Sequence, residues 1–228
     1  MIDTLTRRQL LPILLALLLG TLMTSLSTLI VSTALPVVIA ALGGMDLYSW
    51  AFAAALVTQT VVYPLAGKLS DLYGRKTVYL IGITVFIGGS ALAGAAQSIQ
   101  QLIVFRAIQG LGAGAVQPTV SALIADLFPP AQRARWQGAN GAIWGLASIL
   151  GPIMGGYLAE HVSWRSVFYI NIPPGLIAAL LMARYLPRLQ RHERPSIDYL
   201  GGALLSGGLV LFLLTTLWGG SLFPWASP

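Results

Sequence analysis

The chain contains no cysteine, and only 9% of its residues are charged. The first absence excludes disulfides, thiolate metal sites and cysteine nucleophiles, and it leaves the redox compartment unmarked. The second excludes an ordinary water-soluble domain, in which about 25% of residues are charged. Histidine is scarce too: His161 and His192 fall in separate connecting segments, too far apart to share a metal. There is no HExxH, no phosphate-cradling Walker loop and no nucleophile elbow. Neither a metal nor another cofactor is called for, and no enzyme constellation is visible. The acids are Asp3, Asp46, Asp71, Asp126, Glu160, Glu193 and Asp198, and none falls in the middle of an apolar run.

Apolar residues make up 56% of the 228 positions, a composition for which lipid is the natural solvent. A spanning helix needs about 20 mainly apolar residues. Seven segments meet that length, at 10–34, 49–66, 77–96, 102–124, 139–159, 167–186 and 199–218. Lipid offers no partner to open backbone groups, so these segments must be helices, and they are far too long for barrel strands. Thr6-Arg7-Arg8 resembles the basic start of a secretory signal. The apolar run behind it is too long for one, and no small-x-small cleavage site closes it. The expectation is an uncleaved first span.

The net charge of +6 does not point to nucleic acid, because the placement of the basic residues is that of a membrane protein. Arg7, Arg8, Lys68, Arg75, Lys76, Arg133, Arg135, Arg184, Arg188, Arg191 and Arg194 all fall on one set of connections. Only Arg165 falls on the other, and Arg106 lies inside a span. By the positive-inside rule the N-terminus is cytoplasmic, and the expected location is the cytoplasmic membrane with several passes. The spans group as three, three and one. Residues 1–190 form a six-helix unit. Residues 191–228 hold the end of a Pro-containing basic linker, a seventh span and an external aromatic tail, at which the chain reads as cut off.

Four groups of residues carry the chemistry. Gly67, Asp71, Gly74, Arg75 and Lys76 fall in order between spans two and three. The glycines allow close approach and a tight reversal, and the acid pairs with basic neighbours. Span four carries Arg106, the one charged side chain away from the ends of a span, followed by Gln109, Gly110, Gly112, Gly114 and Gln117. An unpaired cation in lipid costs at least about 2.5 kcal/mol, so Arg106 faces protein or water. Arg106, Gly110, Ala113 and Gln117 share one helical face. Span five carries Gly141, Gly145, Gly151, Pro152, Gly155 and Gly156. Its glycines four apart form grooves for a neighbouring helix, and Pro152 bends the chain. Span one offers Thr21, Ser25, Thr28 and Ser32 as a polar stripe, and span two adds Gln59 and Tyr63. The stripe either lines a cavity or bonds to its own helix backbone.

The segment from Gly67 to Lys76 resembles the signature loop of the major facilitator superfamily, with Leu72 where a basic residue is usual. Arg106 to Gly114 and Gly145 to Gly156 resemble that family's second motif and the motif of its antiporters. Ser27 to Pro36 and Trp164 to Asn171 are similar to the fourteen-helix drug:proton antiporter branch. The resemblance implies a bundle of two inverted three-helix repeats that faces a second six-helix bundle across a midplane cavity. It implies a charge relay of Asp71, Arg75 and Asp126 that holds one state. It also implies a place for Arg106, Gln109, Gly110 and Gln117 near a small amphiphilic substrate and its coupled protons. The bland reading of Arg106, a lock that bonds carbonyls, stays open beside this. So does a reading of the span-five glycines as packing alone. Ser27 stands where that branch usually has an aspartate. A proton-carrying carboxylate would then be Asp71, Asp126 or a residue beyond position 228. The expected activity is efflux of amphiphilic compounds, with this chain as the N-terminal half. The alternatives are a non-transporting assembly module that needs a separate C-terminal half, and an intramembrane enzyme or channel.

Overall fold

A computed structural model describes residues 7–187 and 199–218, and among them there is no strand. The linker at 188–198 and the tail at 219–228, with Arg188, Arg191 and Arg194, lie outside the described residues. The long helices are α1 (Arg7–Leu42), α2 (Tyr48–Tyr73), α3 (Arg75–Gly94), α4 (Ile99–Leu127) and α5 (Pro130–Tyr157). A π-helical turn at Leu158–Ser163 leads to the short α6 (Ser166–Tyr169), then α7 (Ile172–Tyr185) and α8 (Tyr199–Trp218). All seven expected spans are helical. Among the described residues five stretches are long and apolar enough to cross a membrane: Arg8–Leu42, Met45–Tyr73, Arg75–Gly94, Pro130–Ser163 and Ser166–Tyr185. α4 falls outside that set because its apolar residues are diluted by Arg106, Gln109 and Gln117, all of them buried in the bundle.

Three details differ from the sequence reading. The segment around Asp71 is not a loop, since α2 runs on to Tyr73 and α3 begins at Arg75. The whole reversal falls on Gly74, whose φ of 90° only glycine adopts without strain. The sixth span is broken. Its chain turns at Ile170 and Asn171, ahead of Pro173 and Pro174, which have no N–H to offer a preceding turn. The helices also overrun the apolar segments, because their rim turns are polar and no apolar signal marks where they end.

α4 packs between α2 and α3, α1 packs between α5 and α7, and α3 packs against α7. Exchanging α1 with α4, α2 with α5 and α3 with α7 leaves this set of pairings unchanged, which is the pattern of two three-helix repeats. The core has two apolar clusters. Ile13, Leu17, Tyr79, Phe86, Leu123 and Met182 fill the half nearer the basic rim. Ile30, Leu35, Ala93, Leu102, Val167 and Phe168 fill the other. Between them on each helix lie buried polar residues: Thr24 and Ser27 on α1, Ser90 on α3, and Arg106 and Gln109 on α4. α1 is thus part of the core rather than an appendage.

The repeat relation is drawn most clearly by two cations. Lys76, at the start of α3, donates from Nζ to the carbonyls of Ala183 and Leu186 at the end of α7, at 2.6 and 2.5 Å. Arg165, just ahead of α6, donates from Nη1 to the carbonyls of Gly94 and Ala96 at the end of α3, both at 2.7 Å. Its guanidinium also lies 4.3 Å from the Trp164 ring centroid. Each helix therefore has its orphan C-terminal carbonyls and its negative dipole end met by a cation from the start of the other's segment. Charge-assisted bonds contribute about 1.5–3 kcal/mol each. Arg165→Met and Lys76→Met should each lower the thermal midpoint of the purified protein. The two losses should add, because the sites lie at opposite rims. Unchanged midpoints in both variants would show that the caps contribute nothing.

Candidate functional site

The corner at Gly74 brings together residues that are distant in sequence. Arg75 pairs with Asp71 Oδ1 through Nη2 at 2.6 Å and with Asp126 Oδ2 through Nε at 3.0 Å. Its Nη1 donates to Ser70 Oγ and, at 3.5 Å, to the Gly67 carbonyl. The Arg75 side chain is 15% exposed, against 25% for Asp126 and 38% for Asp71. The guanidinium thus ties the end of α2, the start of α3 and the inner end of α4 into one cluster. Its planar fork suits this work, since it serves several acceptors in fixed directions at once. Lys76 is turned away to the α7 carbonyls. Gly67 meets open space where a side chain would begin, so its close approach is not to any helix described here.

Deeper in the bundle the polar residues form a chain of hydrogen bonds. Arg106 is 3% exposed, and its Nη1 donates to Gln109 Oε1 at 2.7 Å. Gln109 Nε2 donates to Ser27 Oγ on α1 and Ser90 Oγ on α3, both at 3.0 Å. Ser90 donates to the Phe168 carbonyl at 2.8 Å, and Asn171 Nδ2 donates to Ser90 at 3.2 Å. A second strand of the network runs from Gln117 Nε2 to Thr24 Oγ1 at 2.6 Å, and from Thr21 Oγ1 to Asn140 Oδ1 at 2.6 Å. Such bonds satisfy polar groups that burial would otherwise penalise. Among the described residues Arg106 Nε is the exception, buried with no hydrogen-bond partner.

The expected common face of Arg106, Gly110 and Gln117 is divided. Gln109 and Gln117 reach α1 and α3, whereas Gly110 is pressed on α2, where an added Cβ would come within 2.2 Å of the Ala55 carbonyl oxygen. α4 is packed by α2 and α3 and also touches α1, so positions one turn apart meet different neighbours. The span-five glycines divide as well. Gly151 and Gly155 seat α5 on Leu29, Ile30 and Thr33 of α1, with Pro152 between them. Gly141, Gly145 and Gly156 have nothing within 4 Å. The groove expected at Gly141 and Gly145 therefore has no occupant among the described residues. On span one, Ser25, Thr28 and Ser32 bond to their own helix backbone. The hydroxyls that reach α4 are Thr24 and Ser27, outside the expected stripe.

Sequence reading missed Ser90, Asn140 and Thr24, and gave Asn171 no bonding role. The signal for them is indirect: one buried arginine and two buried glutamines on α4 demand acceptors and donors from adjoining spans. Beside this network lies a cleft of about 380 Å³ lined by Thr28 of α1, Gln59, Thr60 and Tyr63 of α2, Trp144 of α5 and Leu209 of α8. Its walls are largely apolar with a few hydroxyl and amide groups, which suits an amphiphilic molecule.

A bundle of two three-helix repeats with a clamped corner and a buried polar layer has the architecture expected of one half of a membrane transporter. The Major Facilitator Superfamily model matches residues 17–227, and the chain belongs to that family. It is 41% identical over 215 residues to Multidrug resistance protein 3 of Bacillus subtilis, covering 94% of this chain and 42% of the relative. It is 42% identical over 198 residues to Multidrug transporter protein MdtP of the same organism, covering 87% of this chain and 37% of that one. The chain thus spans about two-fifths of the length of the relatives it matches. In fold it is similar to an inward-open xylose transporter from E. coli, with a TM-score of 0.68 at 19% identity over 92% of this chain and 56% of that one. It also resembles a POT-type peptide transporter, at 0.69 and 15% identity over 92% of this chain and 47% of that one. The protein is a multi-pass membrane protein of this family.

Proposed function

We propose that this chain is the N-terminal half of an efflux transporter that exports small amphiphilic compounds by alternating access, coupled to protons. It acts in the cytoplasmic membrane with its basic rim and N-terminus in the cytoplasm. The observation that carries the reading is the Arg75 cluster. A guanidinium shared by Asp71, Asp126 and the α2 end is a breakable tie among three helix ends, of the kind that holds one of two states. The names of the relatives, a multidrug resistance protein and a multidrug transporter, support amphiphilic substrates. The cleft supplies one wall of a binding cavity. The open glycines of α5 leave a close-packing face for a second bundle, carried on the same polypeptide or on a separate one.

In proteoliposomes, this chain joined to a matching second half should export a lipophilic dye when a proton gradient is imposed. The chain alone should insert and give no energised efflux. Gradient-driven export by the chain alone would overturn the half-transporter reading. Absence of export by the joined protein would overturn the efflux reading.

A further inference from the structure

We infer that the half-site supplied by this chain selects amphiphiles that carry negative charge over those that carry positive charge, and that Arg106 sets that sign. The inference rests on the transport reading above and names its substrate class.

Charge bookkeeping leads to it. Among the described residues, Arg106 is the one ionic group inside the polar layer. Asp71 and Asp126 sit at the basic rim and are engaged with Arg75, and Asp46 and Glu160 are exposed. Gln109 cannot neutralise Arg106. Its oxygen accepts from the guanidinium, and its amide hydrogens are committed to Ser27 and Ser90. The network is therefore a set of neutral dipoles around a single positive charge, one of whose N–H groups, Nε, is buried without an acceptor.

That charge is close to the cleft. Ser27, in the network, precedes Thr28, which lines the cleft. Ala107, next to Arg106, accepts at 2.8 Å from Thr58, and the residue after Thr58 is Gln59 of the cleft wall. The network thus adjoins the cleft through neighbouring residues of α1 and α4, and no charged residue lines the cleft itself. A unit charge ~10 Å away at an effective dielectric of about 20 changes the occupancy of a charged guest by roughly tenfold. The sign is attraction for an anion and repulsion for a cation. Solvent ions screen little across a buried layer. Ser27 is the sensitive position, because a carboxylate there would stand one glutamine away from Arg106 and cancel its field.

The test uses the full-length transporter and two xanthene dyes of similar size, one with a free carboxylate and no cation, the other an ester with a fixed cation. Equilibrium binding by fluorescence anisotropy, measured beside efflux, reads the preference without requiring transport. The anionic dye should bind on the order of a hundredfold tighter than the cationic one, a roughly tenfold gain for the anion multiplied by a roughly tenfold loss for the cation. Arg106→Gln and Ser27→Asp should each bring the ratio of affinities toward one, and Arg106→Lys should keep the anion preferred. All variants are compared as monodisperse protein in detergent. Tighter binding of the cation by the unaltered protein would overturn the inference. So would a ratio that neither Arg106→Gln nor Ser27→Asp moves. Anion-selective binding with no efflux would uphold it and count against the transport reading alone.

Discussion

Gly112→Ala is expected to disrupt the bundle, although it adds a single methyl group to a helix. The new Cβ would lie 2.3 Å from the backbone nitrogen of Phe86, 2.7 Å from its Cα and 2.6 Å from the Gly82 carbonyl oxygen. These are backbone atoms of α3, so no rotamer change relieves the clash and the two helices must separate. The neighbouring contacts depend on the same approach. A Cβ at Gly82 would come 3.2 Å from the Gly112 carbonyl oxygen, and one at Gly89 would come 2.5 Å from the Gln109 backbone nitrogen. Parting α3 from α4 therefore also pulls Ser90 away from Gln109 Nε2, now 3.0 Å away. Overpacking of a well-filled core costs about 1–3 kcal/mol, and the lost network bonds add about 1 kcal/mol each. Gly145→Ala, with nothing within 4 Å of its Cβ, is the comparison. It should leave the midpoint of this chain unchanged or raise it slightly, since alanine is the better helix former by about 1 kcal/mol. Size-exclusion profiles and thermal midpoints in detergent read both variants. A Gly112→Ala protein that elutes and melts like its parent would show that the α3–α4 seam tolerates separation.

Much of this seam was legible in the sequence, and some of it was not. The spans could be read because lipid forces long apolar helices, whereas the segment from Gly67 to Lys76 reads as a loop and only the structure puts its reversal on Gly74 alone. The family motifs marked Arg75, Asp126 and Gly151 to Gly155 as notable. Which glycines meet a helix, however, depends on the rotation of each helix about its axis. Gly151 and Gly141 have the same spacing to their partners in sequence, and only Gly151 has a neighbour. The hydrogen-bond network was illegible for a similar reason. Gln109 reaches Ser27 across 82 residues and Ser90 across 19, and hydropathy does not distinguish a serine that faces α4 from one that bonds its own backbone. The two C-terminal caps were hidden because Lys76 and Arg165 already had an adequate explanation as rim charges.

The second large effect is expected at Arg75. Arg75→Gln removes both ion pairs and leaves Asp71 and Asp126 facing the vacated space as like charges. If the cluster holds the basic rim closed in one state, a loss of about 1.4–3 kcal/mol shifts the balance of states by about tenfold or more. Transport by the full-length protein, which must visit both states, should fall at least that far while membrane insertion stays intact. The two acids should not be equivalent. Asp126 is less exposed than Asp71, at 25% against 38%, and it is the one that links α4 to the corner. Asp126→Asn should therefore impair transport more than Asp71→Asn, and Arg75→Lys should retain part of it, since an ammonium keeps the charge but loses the fork. State and stability can be separated by labelling, because this chain has no native cysteine. A single cysteine at Thr60, on the wall of the cleft, should react faster from the basic side once Arg75 is replaced. Equal labelling rates and equal transport in Arg75→Gln and its parent would show that the cluster holds helices together without gating them.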